Sequence, residues 1–186
     1  MGRDTKLGEE SKAMLRASMK YICLALALCL SACATTAAAP AHDTHKVAHD
    51  EPRPYDAAAD AEVDINHTLV AAKEEDKLGL LVFGANWCHD SRALAAHFEK
   101  PRFASLLRSH YKMTYIDVGQ KDRNIDLARK FGVDDIVGTP TVFVTNSDGE
   151  VLNLDTAPTW RNAASREADD VYDYFRGFAH PPRGAE

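Results

Sequence analysis

The chain lacks any apolar run of the roughly 20 residues that a membrane-spanning helix requires, so a polytopic membrane protein is excluded. It also lacks an excess of basic charge: 22 Lys and Arg against 28 Asp and Glu leave a formal charge of −6. Binding to a phosphate backbone needs a basic face, so nucleic acid is not an expected partner. There is no glycine-rich phosphate loop, no dinucleotide fingerprint, no serine-hydrolase elbow and no internal repeat. Cysteine is scarce, four in 186 residues, and no two form a Cys-x-x-Cys pair. What remains, 45% hydrophobic and 27% charged residues, is the balance of one globular domain.

The position of each cysteine matters more than the count. Tyr21 to Leu30 read YICLALALCL, too short to span a bilayer but well sized for a secretory core, with Arg16 and Lys20 ahead of it. Leu30-Ser31-Ala32-Cys33 is similar to a bacterial lipobox, which implies a signal peptide over residues 1–33, cleavage before Cys33 and lipidation of its thiol. An ordinary signal peptide cut between Ala34 and Ala41 is the alternative. Met14 or Met19 is the expected start of translation, given the polar stretch before them. On this reading Cys23 and Cys29 leave with the signal, and Cys88 alone survives as a free thiol in an oxidising compartment. Ala34 is not Asp. By the sorting rule of enteric lipoproteins this implies a periplasmic protein anchored by lipid to the outer membrane.

Residues 34–55 are Ala, Thr, Pro, His and Asp without apolar period, and predict a flexible linker. His42, His45 and His49 fall inside it, but without a fixed backbone they would hold a metal only weakly, so solvated linker is the reading and no metal site is expected.

A folded domain is expected over residues 56–180, followed by a disordered tail over 181–186. Ala58, Ala61, Ile65, Leu69 and Ala72 recur at helical spacing and predict a helix from Asp56 to about Lys77. Leu78 to Phe83 is a continuous apolar run ending at Gly84, the pattern of a strand covered on both faces. A helix from Cys88 to about Tyr111 should be kinked or divided by Pro101. Met113–Val118 predicts a second strand, and Asn124 the cap of a short helix through Phe131 that ends at Gly132. Thr141–Val144 predicts a third strand, and Asn146-Ser147-Asp148-Gly149 a turn into a fourth over Val151–Leu154. Arg161–Phe178 predicts the final helix. A strand–helix–strand unit followed by a hairpin makes an α/β fold, a four-stranded mixed sheet flanked by helices.

Cys88 stands just past the buried strand, where a helix begins. Unpaired N–H groups and the positive end of the helix dipole favour thiolate there. Protonated His89 adds to this, Asp90 opposes it, and Ser91, three residues on, is placed to aim its hydroxyl at the sulfur. The plainer reading is a small buried residue, as many free cysteines are.

Phe83-Gly84-Ala85-Asn86-Trp87-Cys88-His89-Asp90-Ser91 resembles the active-site segment of the thioredoxin family, in which Trp-Cys-x-x-Cys follows a central strand. Gly138-Thr139-Pro140-Thr141 is similar to that family's cis-proline loop, and the order of elements matches from about Asp56 to Ala179. The resemblance implies a thioredoxin-like fold, Cys88 as nucleophile with His89 and Ser91 tuning it, and Trp87, Thr139 and Pro140 as walls of a groove for extended substrates. Two departures count against a dithiol cycle. Ser91 stands where the family has its resolving cysteine, and serine cannot close the intramolecular disulfide. Val82 stands where thioredoxins keep a buried acid.

Three functions therefore stay open. The first is monothiol exchange, in which Cys88 forms mixed disulfides with periplasmic proteins or small thiols, of isomerase or deglutathionylation type. The second is a catalytically inactive binding module that keeps only the groove beside Pro140. The third, metal handling through Cys88 and histidine, is disfavoured because metals need three or four convergent ligands. No cofactor is expected.

Overall fold

The computed structural model describes residues 51–180. The expected signal peptide, the lipidation at Cys33, the linker up to residue 50 and the tail over 181–186 lie outside the described residues.

The central strand β1, Leu78–Gly84, is buried along nearly its whole length, as its unbroken apolar run requires. Strand β2, Tyr111–Asp117, pairs parallel to one side with Leu80 opposite Met113. Strand β3, Thr141–Thr145, pairs antiparallel to the other with Phe83 opposite Thr141. The described sheet has three strands in the order β2-β1-β3. Alternate residues of β1 enter opposite cores. Leu80 and Val82 join Leu94, Phe98, Trp160 and Phe175 on one face, while Leu81 and Phe83 join Ile65, Ile116, Leu127 and Phe143 on the other.

Helix α1 runs Ala61–Glu74, shorter at both ends than its apolar period predicts. Asp56 spends its carboxylate on the N–H of Ala58, making a turn, and Asp60 caps the helix by accepting from the N–H of Val63. At the other end Asp76 takes a left-handed conformation (φ 50°), and the Lys77 N–H donates back to Ala72 O at 2.8 Å. That closes the helix with a Schellman pattern. Pro101 divides the next helical stretch as expected. Helix α2 covers His89–Glu99 and helix α3 Pro101–His110, with extended Lys100 between them and Pro101 in the first turn, where its missing N–H costs nothing.

Helix α4 is a short turn, Ile125–Arg129, closed by Gly132 at φ +95°. Asn124 stands at its N-terminal boundary without side-chain capping; its backbone is left-handed and its amide donates to Asp117 O at 2.8 Å. The predicted final helix is two pieces. A 3₁₀ segment covers Ala157–Ser165 and helix α5 covers Ala168–Ala179. The break at Arg166 lets Trp160 and Ala163 pack under one segment while Val171 and Phe175 turn inward from the other.

The predicted fourth strand is corrected to a single bridge, Thr145 to Val151, followed by the Leu152 N–H donating to Val144 O. Beyond it the side chain of Asn153 takes over from backbone. Its Oδ1 accepts from the N–H of Val144 and its Nδ2 donates to Val142 O, both at 2.8 Å, and Asn153 is buried. One amide thus closes the edge of β3 that another strand would have covered. Replacing Asn153 by Ala leaves a buried donor and a buried acceptor unpaired, and is expected to lower unfolding free energy by at least about 2 kcal/mol in a urea titration. An unchanged midpoint would mean that the edge is closed in some other way.

Candidate functional site

β1 ends at Gly84, and the chain folds into a turn in which the Cys88 N–H donates to Ala85 O at 3.1 Å. Cys88 is then the N-cap of α2, with extended backbone, and its C=O accepts the first helical bond from Arg92 N–H. Its side chain does not cap the helix. Instead the half-buried thiol Sγ donates to Thr139 O at 3.2 Å. Thr139 precedes Pro140 through a cis peptide bond at the entry to β3, and the Thr141 hydroxyl donates to Gly138 O, tying the loop together. The predicted trio Cys88, Thr139 and Pro140 therefore meets in space across 51 residues of sequence. Trp87 flanks it, half exposed, with its indole N–H anchored on Gly119 O at 2.7 Å.

Two of the predicted tuners stand elsewhere than expected. Ser91 is fully buried, and its Oγ accepts from the Ala85 N–H at 3.4 Å instead of bonding the sulfur. His89 points outward, with Nδ1 3.5 Å from Glu51. Among the described residues no three His, Cys, Asp or Glu side chains gather as a metal site would need, and the histidines at 42, 45 and 49 lie outside them.

The structure adds a strap that the sequence pattern concealed. Glu51 and Tyr55, within the stretch read as linker, are packed against the turn that carries Cys88. Asn86, two residues before Cys88, treats Tyr55 as a strand would: its Oδ1 accepts from the Tyr55 N–H at 3.2 Å and its Nδ2 donates to Tyr55 O at 2.7 Å. Glu51 takes the Arg92 guanidinium at 2.9 Å, and Arg92 in turn donates to Asn86 O at 3.0 Å. That guanidinium, with His89 beside it, holds the Glu51 carboxyl below its usual value of 4.5. Tyr55 itself is 3% exposed, its ring edge-on to Tyr115. Its Oη lies beside Gly84 and Ser91 with no hydrogen-bond partner. Burial, with Tyr115 adding to it, pushes this phenol far above its ordinary range. An orphaned buried hydroxyl costs about 1–3 kcal/mol. A proline-flanked aromatic in a stretch without period was the only sequence signal for the strap.

A family model described as thioredoxin-like matches residues 60–147. The crystal structure of a disulphide isomerase from Xylella fastidiosa Temecula1 is 37% identical, with a TM-score of 0.65 over 69% of this chain and 98% of that one. The chain belongs to the thioredoxin-like family. A thioredoxin-fold protein from Helicobacter pylori is far more distant, 15% identical with a TM-score of 0.36 over 60% of this chain and 94% of that one. Among curated proteins no sequence matches. Within this thioredoxin-like chain, the strap residues Glu51 and Tyr55 lie ahead of the part that the family model covers.

The strap has a measurable signature. Asn86→Ala should lower hydrogen-exchange protection of the Tyr55 amide by about fivefold or more, the worth of one hydrogen bond. The Glu51 carboxylate supports docking above the usual carboxylate value, and that support is lost only as pH falls through its own lower value. Tyr55 protection factors are thus expected to be flat from pH 5 to 8 and to fall only below pH 4.5. Unchanged protection in Asn86→Ala would show that the amide does not hold the strap.

Proposed function

We propose that this protein carries out thiol–disulfide exchange through Cys88 acting as a single thiol. The thioredoxin-like fold and the similarity to a disulphide isomerase support a thiol–disulfide oxidoreductase-type function. The observation that carries the finer reading is the meeting of Cys88 Sγ with Thr139 O beside Pro140, with a buried serine, not a cysteine, three residues on. Thr139 O, an acceptor, serves the protonated sulfur. Once the proton leaves, the sulfur turns to donors, and the N–H groups of the first turn of α2, which the Cys88 side chain does not cap, are among those at this end of the helix.

The chemistry balances with one protein sulfur. The Cys88 thiolate attacks a substrate disulfide R–S–S–R, forming the Cys88–S–S–R bond while the old S–S bond breaks and releases RS⁻, which takes a proton from water. An external thiolate R′S⁻ then attacks the mixed disulfide, restores Cys88 and leaves as R–S–S–R′. One disulfide is consumed and one is made: R′S⁻ is oxidised, one RS is reduced and the protein itself is unchanged, so the cycle suits isomerisation or deglutathionylation, with periplasmic proteins or small thiols as partners. In this proposal His89 and Ser91 tune the sulfur, Ser91 from beneath and His89 through Glu51, and Trp87, Thr139 and Pro140 line the groove.

Cys88→Ser is expected to abolish mixed disulfides trapped from cells, and Ser91→Cys to release them by attack of the new thiol on the mixed disulfide. Partners retained by Cys88→Ser would favour the catalytically inactive binding module instead. The proposal extends to an exported protein whose Cys33 carries lipid, anchored to the outer membrane on its periplasmic face. Radiolabelled palmitate should enter the wild-type chain and not Cys33→Ala; equal labelling of both would refute the anchor.

A further inference from the structure

The hydroxyl of Tyr55 has no task in holding the fold. Its ring packs on Tyr115 in the core beneath the site, and a phenylalanine would fill the same space without burying an unpaired polar atom. Ser91 beside it has an uncommitted proton, because its hydrogen bond with Ala85 uses the oxygen as acceptor. Both hydroxyls crowd the side of Gly84 that a side chain would take. A Cβ at that position would lie 2.5 Å from Tyr55 Oη and 2.7 Å from Ser91 Oγ. Two hydroxyls with protons to donate therefore converge beside Gly84, Ser91 being in the first turn of the helix that Cys88 caps, and the thiol of Cys88 bonds a carbonyl that it must abandon on becoming an anion.

Resting on the exchange reaction proposed above, we infer that Tyr55 is a positioning residue for Cys88: its hydroxyl donates to Ser91 Oγ, and the Ser91 hydroxyl donates to the sulfur in the thiolate state. No proton is transferred in this step; each stays on its own oxygen while the hydrogen bonds turn. Burial keeps the phenol protonated throughout, so it serves as a donor at every working pH. Val82, buried in the same core as Tyr55, offers no polar group of its own. Asn86 fixes the backbone of Tyr55 to the same turn that carries Cys88, so the hydroxyl and the sulfur keep their spacing. The ionisable groups around the site that bear on its pH dependence are Tyr115 and Asp117 from β2, His89, Asp90 and Arg92 from α2, and Glu51 from the strap.

The test is Tyr55→Phe in the full chain, read by two measurements. Iodoacetamide alkylation is followed at Cys88 by peptide mapping from pH 5 to 10, and stability by urea unfolding. The variant is expected to unfold at the wild-type midpoint or above, to alkylate about fivefold more slowly near neutral pH, and to converge with wild type at pH 10. In a Ser91→Ala background the same substitution should add nothing further. Superimposable pH profiles would overturn the inference, as would a lowered urea midpoint with an unchanged profile, which would make the hydroxyl structural. An additive loss in the double variant would overturn the route through Ser91. Iodoacetamide carries no disulfide, so a wild-type protein that alkylates yet fails to exchange with disulfides would sink the proposed function and leave this comparison standing.

Discussion

The site depends on the antiparallel register between β1 and β3, with Phe83 opposite Thr141. That pairing sets the end of one strand beside the beginning of the other, so the turn after Gly84 and the loop before Thr141 have no choice but to meet. Register is strongly specified because β1 is covered on both faces. A slip by one residue would exchange Leu80 and Val82 with Leu81 and Phe83 between two differently shaped cores. The 3.2 Å contact between Cys88 Sγ and Thr139 O is a consequence of packing many ångströms of apolar strand, not of any local attraction between sulfur and carbonyl.

Around this frame, polar side chains do the work that missing backbone would do elsewhere. Asn153 closes the outer edge of β3, and Asn86 ties down the strap, each by presenting an amide that both donates and accepts. An amide side chain is the one neutral group with the hydrogen-bonding pattern of a peptide unit. In both places it lets the fold stop a strand short while leaving no buried N–H or C=O unpaired. Charge stays partly exposed: Glu51, His89 and Arg92 form a cluster in which Glu51 lies 3.5 Å from His89 and 2.9 Å from Arg92.

Much of this was legible in the sequence because the signals were local. The apolar run before Gly84 gave the buried strand, Pro101 the division between α2 and α3, and the Trp87-Cys88 and Thr139-Pro140 segments the two halves of the site. What escaped depended on partners distant in sequence. The stretch after Gly149 has the composition of a strand, yet a side chain replaces its backbone, and no pattern of apolar residues announces that. Tyr55 sits in a proline-flanked segment with no period, so its burial comes only from Asn86 and Tyr115. Spacing of three put Ser91 on the same end of α2 as Cys88, but only the packing beneath Gly84 turned its oxygen toward Ala85.

The central claim, a reachable sulfur with no second cysteine to resolve it among the described residues, is tested most directly by its stoichiometry with a neutral probe. Reduced protein is mixed with hydroxyethyl disulfide, and the state of Cys88 is followed over time by peptide mass mapping. The account predicts one hydroxyethylthio adduct on Cys88 that persists until an external thiol is added and then clears. No adduct at Cys88, or an adduct that clears without added thiol, would contradict it.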